Sequence, residues 1–314
     1  MIFHSDVPCN VVKAIGILEY LSARFTYLEK TQWANRVDEG KISINGKCCQ
    51  KGDTVKANDR ISYDAGEFEE PPADLNYTIV YEDQWIIGVD KPGNLLVHRA
   101  GKSFRNNLLF QLQNVHEPKF PYAHAIHRLD RETSGITLIA KDSNSISAFT
   151  NLFKQNRIEK TYKAIVKGRI DRELKIIDEP LARDRNSEIR YKVAVHKNGK
   201  SATTEIVALD YIGKNATLVS LKPLSGRTHQ IRVHLAHYGH PILGDKLYGI
   251  SEKLHLRWRS DPQKYNSDFI IQRQALHCES VRFEHPFTGE IEEIKAGIPN
   301  DMEELMGKLR GENC

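Results

Sequence analysis

No stretch of this chain reaches eighteen consecutive apolar residues, so the sequence offers no candidate transmembrane helix. Glycine (20) and proline (12) are sparse among 314 residues, which excludes a collagen-like or proline-rich chain. A hydrophobic fraction of 40% argues against a wholly disordered one. Cysteine is rare and odd in number: Cys9, Cys48, Cys49, Cys278 and Cys314 show no C-x-x-C spacing, so neither a zinc ribbon nor an evenly stapled disulfide framework is expected. The N-terminus lacks the pattern of a secretory leader, because Asp6 precedes a weak apolar stretch that Lys13 and Glu19 interrupt. These absences point to a cytosolic chain in a reducing compartment, long enough for two domains.

The common cofactor signatures are missing as well. Gly101-Lys102-Ser103 looks like the end of a phosphate-binding loop, but Leu96 stands where that loop requires glycine. There is no G-x-G-x-x-G, no G-x-S-x-G and no H-E-x-x-H, so nothing points to NAD, ATP or a serine hydrolase.

Charge is nearly balanced overall, at 45 Lys and Arg against 41 Asp and Glu, but it is unevenly placed. From Gly66 to Asp90 there are seven acids and no Lys or Arg, and from Glu279 to Glu304 eight acids face two basic residues. Between Lys119 and Arg172 eleven basic residues meet five acids; between Lys222 and Arg259 seven meet two, with five histidines interspersed. Basic segments of this kind can assemble a surface for a polyanion, and they can equally be solvated helix and strand faces.

Leu18, Leu21, Phe25 and Leu28 recur at helical spacing, and Thr31 is an N-cap candidate for a second short helix carrying Trp33 and Val37. Lys41 to Ile44 alternates like a strand, Asn45-Gly46 predicts a type I′ hairpin turn, and Asp59 to Tyr63 reads as another strand. A small unit is therefore expected over 1–64. The acidic, Pro-containing segment AGEFEEPPADLN (65–76) is the expected linker. Residues 77–314 alternate strands with a few helices, one over Ser145 to Lys154 with Ser143 as its cap, which predicts an α+β domain.

Three segments of this domain carry candidate chemistry. His124 to Gly135 contains Asp130, close to Arg128 and Arg131, on a polar turn that opens into strand-like Ile136 to Ala140; a strand lends such a turn rigidity. Glu159 to Val166 alternates, placing Tyr162, Ala164 and Val166 on one strand face. Leu224 to Arg232 runs into a probable helix that Gly239 ends, with Arg227 before it and Arg232 within it; either arginine could meet an aspartate. Taken singly, these are also what a loop ion pair, a core tyrosine and solvated arginines look like. The segment from His229 to His240 holds four histidines, of which His234 and His237 are one turn apart and could share a metal ion, although no acid lies among them.

At these residues the sequence resembles the RluA-type pseudouridine synthases. The likeness lies in HRLDRETSG (127–135), EKTYKAIVKG (159–168), GRTHQIRVHLAHYGHPILGDKLYG (226–249) and RQALHCESVRFEHPFTG (273–289), so it spans the chain from about residue 77 almost to the end. Residues 14–63 resemble the small S4-type RNA-binding module often fused ahead of such enzymes, with Ile42 to Gly46 matching its V-x-V-N-G hairpin. Ile15-Gly16-Ile17 and Lys30-Thr31 depart from the Arg-Leu-Asp and Ser-Arg common there.

The resemblance implies an α+β pseudouridine synthase fold, with a central, mainly antiparallel sheet crossed by the active cleft, preceded by the S4-like module. It implies Asp130 as the catalytic aspartate, Tyr162 as the active-site tyrosine and Arg232 as the basic partner of the aspartate. Leu276 is the implied apolar residue beside the base, and Arg128 the arginine that enters the RNA stack when the target base leaves it. His127 and Arg227, inside the same motifs, are expected to contact substrate. No cofactor and no metal is expected. The implied partner is RNA, ribosomal slightly favoured over transfer RNA because of the S4-like module, bound by a monomer without a membrane. Two readings from other classes are a noncatalytic RNA-binding or ribosome-assembly factor on the same fold, and a metal-dependent hydrolase built on His229, His234 and His237.

Overall fold

The computed structural model describes residues 2–311 except 26–27 and 67–68, and only the backbone at 263 and 268. Cys314 and two positions of the expected linker, Glu67 and Phe68, thus lie outside the described residues. Packing divides the chain into two units, Met1–Pro72 with Arg99–Arg105, and Ala73–His98 with Asn106–Cys314.

The first unit contains β1 (Ile2–Asp6), β2 (Ile15–Gly16), α1 (Ile17–Arg24), α2 (Lys30–Asp38), β3 (Ile42–Ile44), β4 (Lys47–Cys48), β5 (Thr54–Val55) and β6 (Arg60–Asp64). Its sheet has the order β1-β6-β3-β4, and β2 pairs with β5. Asn45 and Gly46 both take positive φ, +50° and +81°, in the turn from β3 to β4, as their dipeptide predicts. Three local expectations need correction. Helix α1 stops at Arg24, so Phe25 and Leu28 pack on the same apolar cluster from beyond its end rather than along its face. Glu29, not Thr31, begins α2: its extended backbone leaves the side chain free to cap, and Gln32 Oε1 accepts from its N–H at 3.0 Å in a reciprocal capping box. Strand β1 was not expected at all; its alternation is weak because it lies at a sheet edge, half exposed. The core gathers around fully buried Trp33, with Ile17, Leu21, Ile42, Val55 and Ile61.

The second unit begins with β7 (Thr78–Glu82), β8 (Ile86–Lys91), α3 (Leu108–Phe110), β9 (His124–Ala125), β10 (Ser134–Ala140), α4 (Ser143–Lys154) and β11 (Ile158–Lys167). It continues through β12 (Ile176–Asp178), β13 (Leu181–Arg183), β14 (Val193–Val195), β15 (Thr203–Ile212), β16 (Ala216–Pro223), α5 (Gln230–His237), α6 (Glu252–Ser260) and α7 (Pro262–Tyr265). The unit closes with β17 (Leu276–Glu284), β18 (Ile291–Lys295) and α8 (Asn300–Gly311). Ten strands form one sheet, ordered β12-β15-β16-β11-β17-β10-β8-β7, with β18 on β17 and β9 on β10. Every pairing is antiparallel except the short contact between β10 and β17, so the sheet is mainly antiparallel, as expected. At that contact Gly135 has φ +105°, and a Cβ there would come within 2.2 Å of the Cys278 carbonyl oxygen; only glycine lets the two strands meet.

Helix α4 is capped by Asp142, not Ser143. The carboxylate accepts from the N–H groups of Asn144 and Ser145, which a Ser143 hydroxyl inside the first turn is badly placed to do. Its Phe149 and Leu152 join the main core, Phe149 meeting Phe283 edge-on at 5.5 Å. Among the described residues no helix is long and apolar enough to cross a membrane.

Candidate active site

Asp130 sits on the turn before β10, closed by a hydrogen bond from Thr133 N–H to the Asp130 carbonyl at 3.1 Å. Buried cations hold the carbonyls that follow. The Lys91 ammonium donates to the backbone oxygens of Pro92, Leu95 and Arg131, and Arg273 Nη1 donates to that of Glu132. Glu132 in turn pairs with Lys246 at 2.8 Å, and Gln274 Nε2 donates to Thr133 Oγ1 at 2.6 Å. A turn restrained at this many points presents one side chain in one place.

Arg232, on α5, reaches that side chain from 102 positions further along the chain. Its Nη1 donates to Asp130 Oδ2 at 2.7 Å. Its Nε and Nη2 donate to the two oxygens of Asp245 at 2.7 and 2.9 Å, a fork-to-fork pair. Asp245 also accepts from the N–H groups of Leu247 and Tyr248. The guanidinium is therefore locked between two carboxylates over the Tyr248 ring, 5.1 Å from its centroid. Burial, the largest single influence, would raise the pKa of Asp130, but the charge of Arg232 foremost, together with His229 and the hydrogen bonds from Arg232 and Gln274, leaves the value below the usual carboxylate range. Asp245 is lowered for the same reason.

His229 precedes α5 with φ +57°, and its Nδ1 bonds Tyr248 Oη at 2.8 Å while Nε2 lies 3.9 Å from Asp130 Oδ2. Burial, then the charge of Arg232, pushes its pKa down to about 4, so the ring is neutral at physiological pH. The three histidines of this segment diverge. His234 is buried with both ring nitrogens engaged, by Thr204 Oγ1 and the Glu179 carbonyl, and His237 is exposed. They do not form a shared cation site.

Tyr162 lies in the middle of β11, paired with Cys278 and Leu221 on the neighbouring strands. It is 8% exposed, and burial with the adjacent Cys278 raises its phenol pKa, so the ring stays neutral. Leu276 begins β17, buried, beside Ala164 of β11. Arg128 is exposed and makes no hydrogen bond or ion pair with the described residues. Arg227 is exposed too, but its Nε donates to the Ser201 carbonyl at 3.1 Å, so Arg232 alone of the two arginines meets Asp130. The His127 ring is buried, stacked on Phe153 at 5.9 Å, and Nε2 accepts from Leu138 N–H, so it braces β10.

A family model described as RNA pseudouridylate synthase matches residues 86–237, the stretch that holds Asp130, Tyr162 and Arg232. Ribosomal large subunit pseudouridine synthase D of Vibrio cholerae is 34% identical over 294 residues, covering 91% of this chain and 88% of its own. The chain belongs to the RluA-type pseudouridine synthase family. The family's enzymes isomerise uridine in RNA, and this synthase is one of them. The pseudouridine synthase D of Haemophilus ducreyi is 37% identical over 247 residues, covering 76% of this chain and 72% of its own. Among solved structures, human RNA pseudouridylate synthase domain containing 1 aligns with a TM-score of 0.56 at 26% identity, covering 77% of this synthase and 98% of that chain.

The sequence reading missed Asp245, Lys91 and Gln274. Asp245 lies inside a motif already noted, yet no helical or strand period connects it with Arg232, 13 residues earlier.

Proposed function

We propose that this synthase isomerises uridines of large-subunit ribosomal RNA, with Asp130 as the catalytic group. One observation carries the assignment of Asp130. Of the two carboxylates that share Arg232, the Asp245 side chain is 0% exposed and the Asp130 side chain 32%, so only Asp130 can reach a substrate. The relatives' printed names, ribosomal large subunit pseudouridine synthases D and C, support the choice of RNA.

The reaction breaks the bond from N1 of uracil to C1′ of the ribose, turns the base, and joins C5 to C1′; the proton on C5 leaves and N1 gains one. The ionised Asp130 carboxylate either attacks C1′ or takes the C2′ proton, and both routes need the charge that Arg232 maintains. Tyr162, neutral and held in the sheet, supplies a flat wall that keeps the base in place while allowing it to rotate. Leu276 closes the apolar side. The uridine must leave its stack to present C1′, which costs a few kcal/mol, and Arg128, exposed and unpaired among the described residues, fills the gap left behind. Residues 1–64 serve as a second, S4-like RNA-binding module. The test is to map pseudouridines in total RNA with and without the gene, and then to restore it as wild type or as Asp130→Asn. A lost ribosomal site that the wild type restores and the variant does not is the expected result. Restoration by Asp130→Asn would overturn the mechanism, and loss confined to transfer RNA would overturn the substrate.

A further inference from the structure

Five Lys and Arg side chains of the second unit are buried among the described residues, and four have their charge or their donors engaged. Arg232 lies between two carboxylates, Arg273 is paired through two bonds with Asp301, Lys246 meets Glu132 and the Gln272 carbonyl, and Lys91 donates to three carbonyls. The fifth is Lys160. It is only 8% exposed, and no carboxylate or carbonyl of the described residues meets its ammonium. Its Nζ lies over the face of Phe153, 4.5 Å from the ring centroid. This Nζ is not fully enclosed and opens toward solvent, so a largely buried ammonium without an anion of its own leaves room for one from outside.

The surroundings say where that anion would lie. Lys160 is two residues before Tyr162 on β11, about 7 Å along the strand, and both are buried in the alternation Ile158, Lys160, Tyr162, although the register with β17 shifts by one between Thr161 and Tyr162. A Cβ on Gly226 would be 4.0 Å from Nζ, which sets the ammonium against the loop that leads to His229 and α5. A cleft opens there, lined by Phe153, Lys160, Leu224, Lys222, Glu159 and Glu205. Lys222 is already paired with Glu159 at 3.4 Å, and Glu205, across from Lys222 in the strand register, is a second carboxylate of the cleft; of the two lysines only Lys160 has no carboxylate within ion-pair distance among the described residues.

We propose that Lys160 binds a backbone phosphate of the substrate RNA immediately beside the flipped uridine. This rests on the synthase reading, under which RNA is the polyanion brought to this cleft. Its role is to position the nucleotide whose base lies on Tyr162, and the phosphate completes a charge pair that the free protein lacks.

The test measures binding of unmodified large-subunit ribosomal RNA transcribed in vitro, in an Asp130→Asn background so that no turnover intervenes. Adding Lys160→Met should weaken binding about tenfold at low salt and lower the slope of log affinity against log salt by about 0.7 to 0.9, the value of one phosphate contact; Lys160→Arg should keep the slope. Because Lys160→Met removes a buried unpaired charge, its thermal midpoint should stay the same or rise. A neutral methylphosphonate placed at one linkage flanking the target uridine should weaken binding by Lys160 protein and leave Lys160→Met unaffected. An unchanged slope, or a lowered midpoint without a change in slope, would make Lys160 a packing residue and overturn the proposal. Pseudouridine formation by the wild type on the same transcript is the control: if it fails, the synthase reading falls, and if it succeeds with an unchanged slope, only the role of Lys160 falls.

Discussion

The two units of this chain treat charge in opposite ways. In the first, the ion pairs Arg36–Glu39, Lys41–Glu39 and Lys51–Asp38 all stand at the surface, with side chains 35 to 55% exposed, while the interior around Trp33 is apolar and the one buried acid, Asp59, is held by Asn45 and the Lys56 N–H without an ion pair among the described residues. In the second, Arg232 and Asp245 pair with side chains 10% and 0% exposed, and Lys246, Arg273 and Lys91 are buried with them. Surface pairs contribute little to stability, and buried ones carry a desolvation cost that hydrophobic packing would avoid. The second unit accepts that cost around one turn, the turn that presents Asp130. The contrast locates chemistry by where charge is buried.

The largest effect expected from breaking this contrast is that of Asp130→Asn, which should lower pseudouridine formation about 10⁴-fold or more while the thermal midpoint moves little, measured by product mapping beside calorimetry. Next comes Asp245→Asn. It leaves Arg232 buried with half its partners, and denaturant titration should show a loss of about 3 to 5 kcal/mol, with activity falling as Asp130 loses its fixed counter-charge. The pH profile sharpens the same point. Asp130 has its folded pKa below the ordinary carboxylate value of about 3.9, so its ionised form and its contribution to stability persist above that pH and fade only as pH falls through the folded value. His229 titrates at about 4 and adds no step at neutral pH. Between about pH 7 and 5, kcat/KM should show no protonation step belonging to His229, whereas Lys91, which burial pushes down to about 7, titrates at the upper edge of that window; a step assigned to His229 would contradict the buried, neutral ring. The smallest effect should be Lys51→Ala in the first unit, within about 0.5 kcal/mol by the same titration. If it matched Asp245→Asn, the contrast between the units would be lost.

Much of the local structure is legible in the residues. Asn45-Gly46 makes its turn because few dipeptides accept two positive φ values in succession, and the alternation through Tyr162 gives the face of β11. The caps of α2 and α4 were displaced because several polar residues near a helix start compete for one role, and backbone conformation decides among them. The site itself was legible through family likeness, whereas its physical assembly was not. Asp130 and Arg232 are 102 residues apart, and only the sheet order brings them together. The burial of His127 was not legible, because a polar ring beside such a motif carries no local mark of whether it points inward; its bond to Leu138 N–H is a tertiary fact. Lys160 escaped for the same reason, since an alternating strand shows which face a lysine occupies and not whether an anion awaits it.

Arg232 carries one positive charge, and two carboxylates draw on it. These three side chains by themselves therefore retain a surplus of one negative charge, which the proposed reaction would set against the ribose. As the glycosidic bond of the proposed reaction lengthens, the sugar develops oxocarbenium character, and that surplus stabilises it where water is scarce. The two hydrogen bonds from Arg232 to Asp245 cost the site nothing in this respect, because they anchor the arginine without neutralising Asp130 in full.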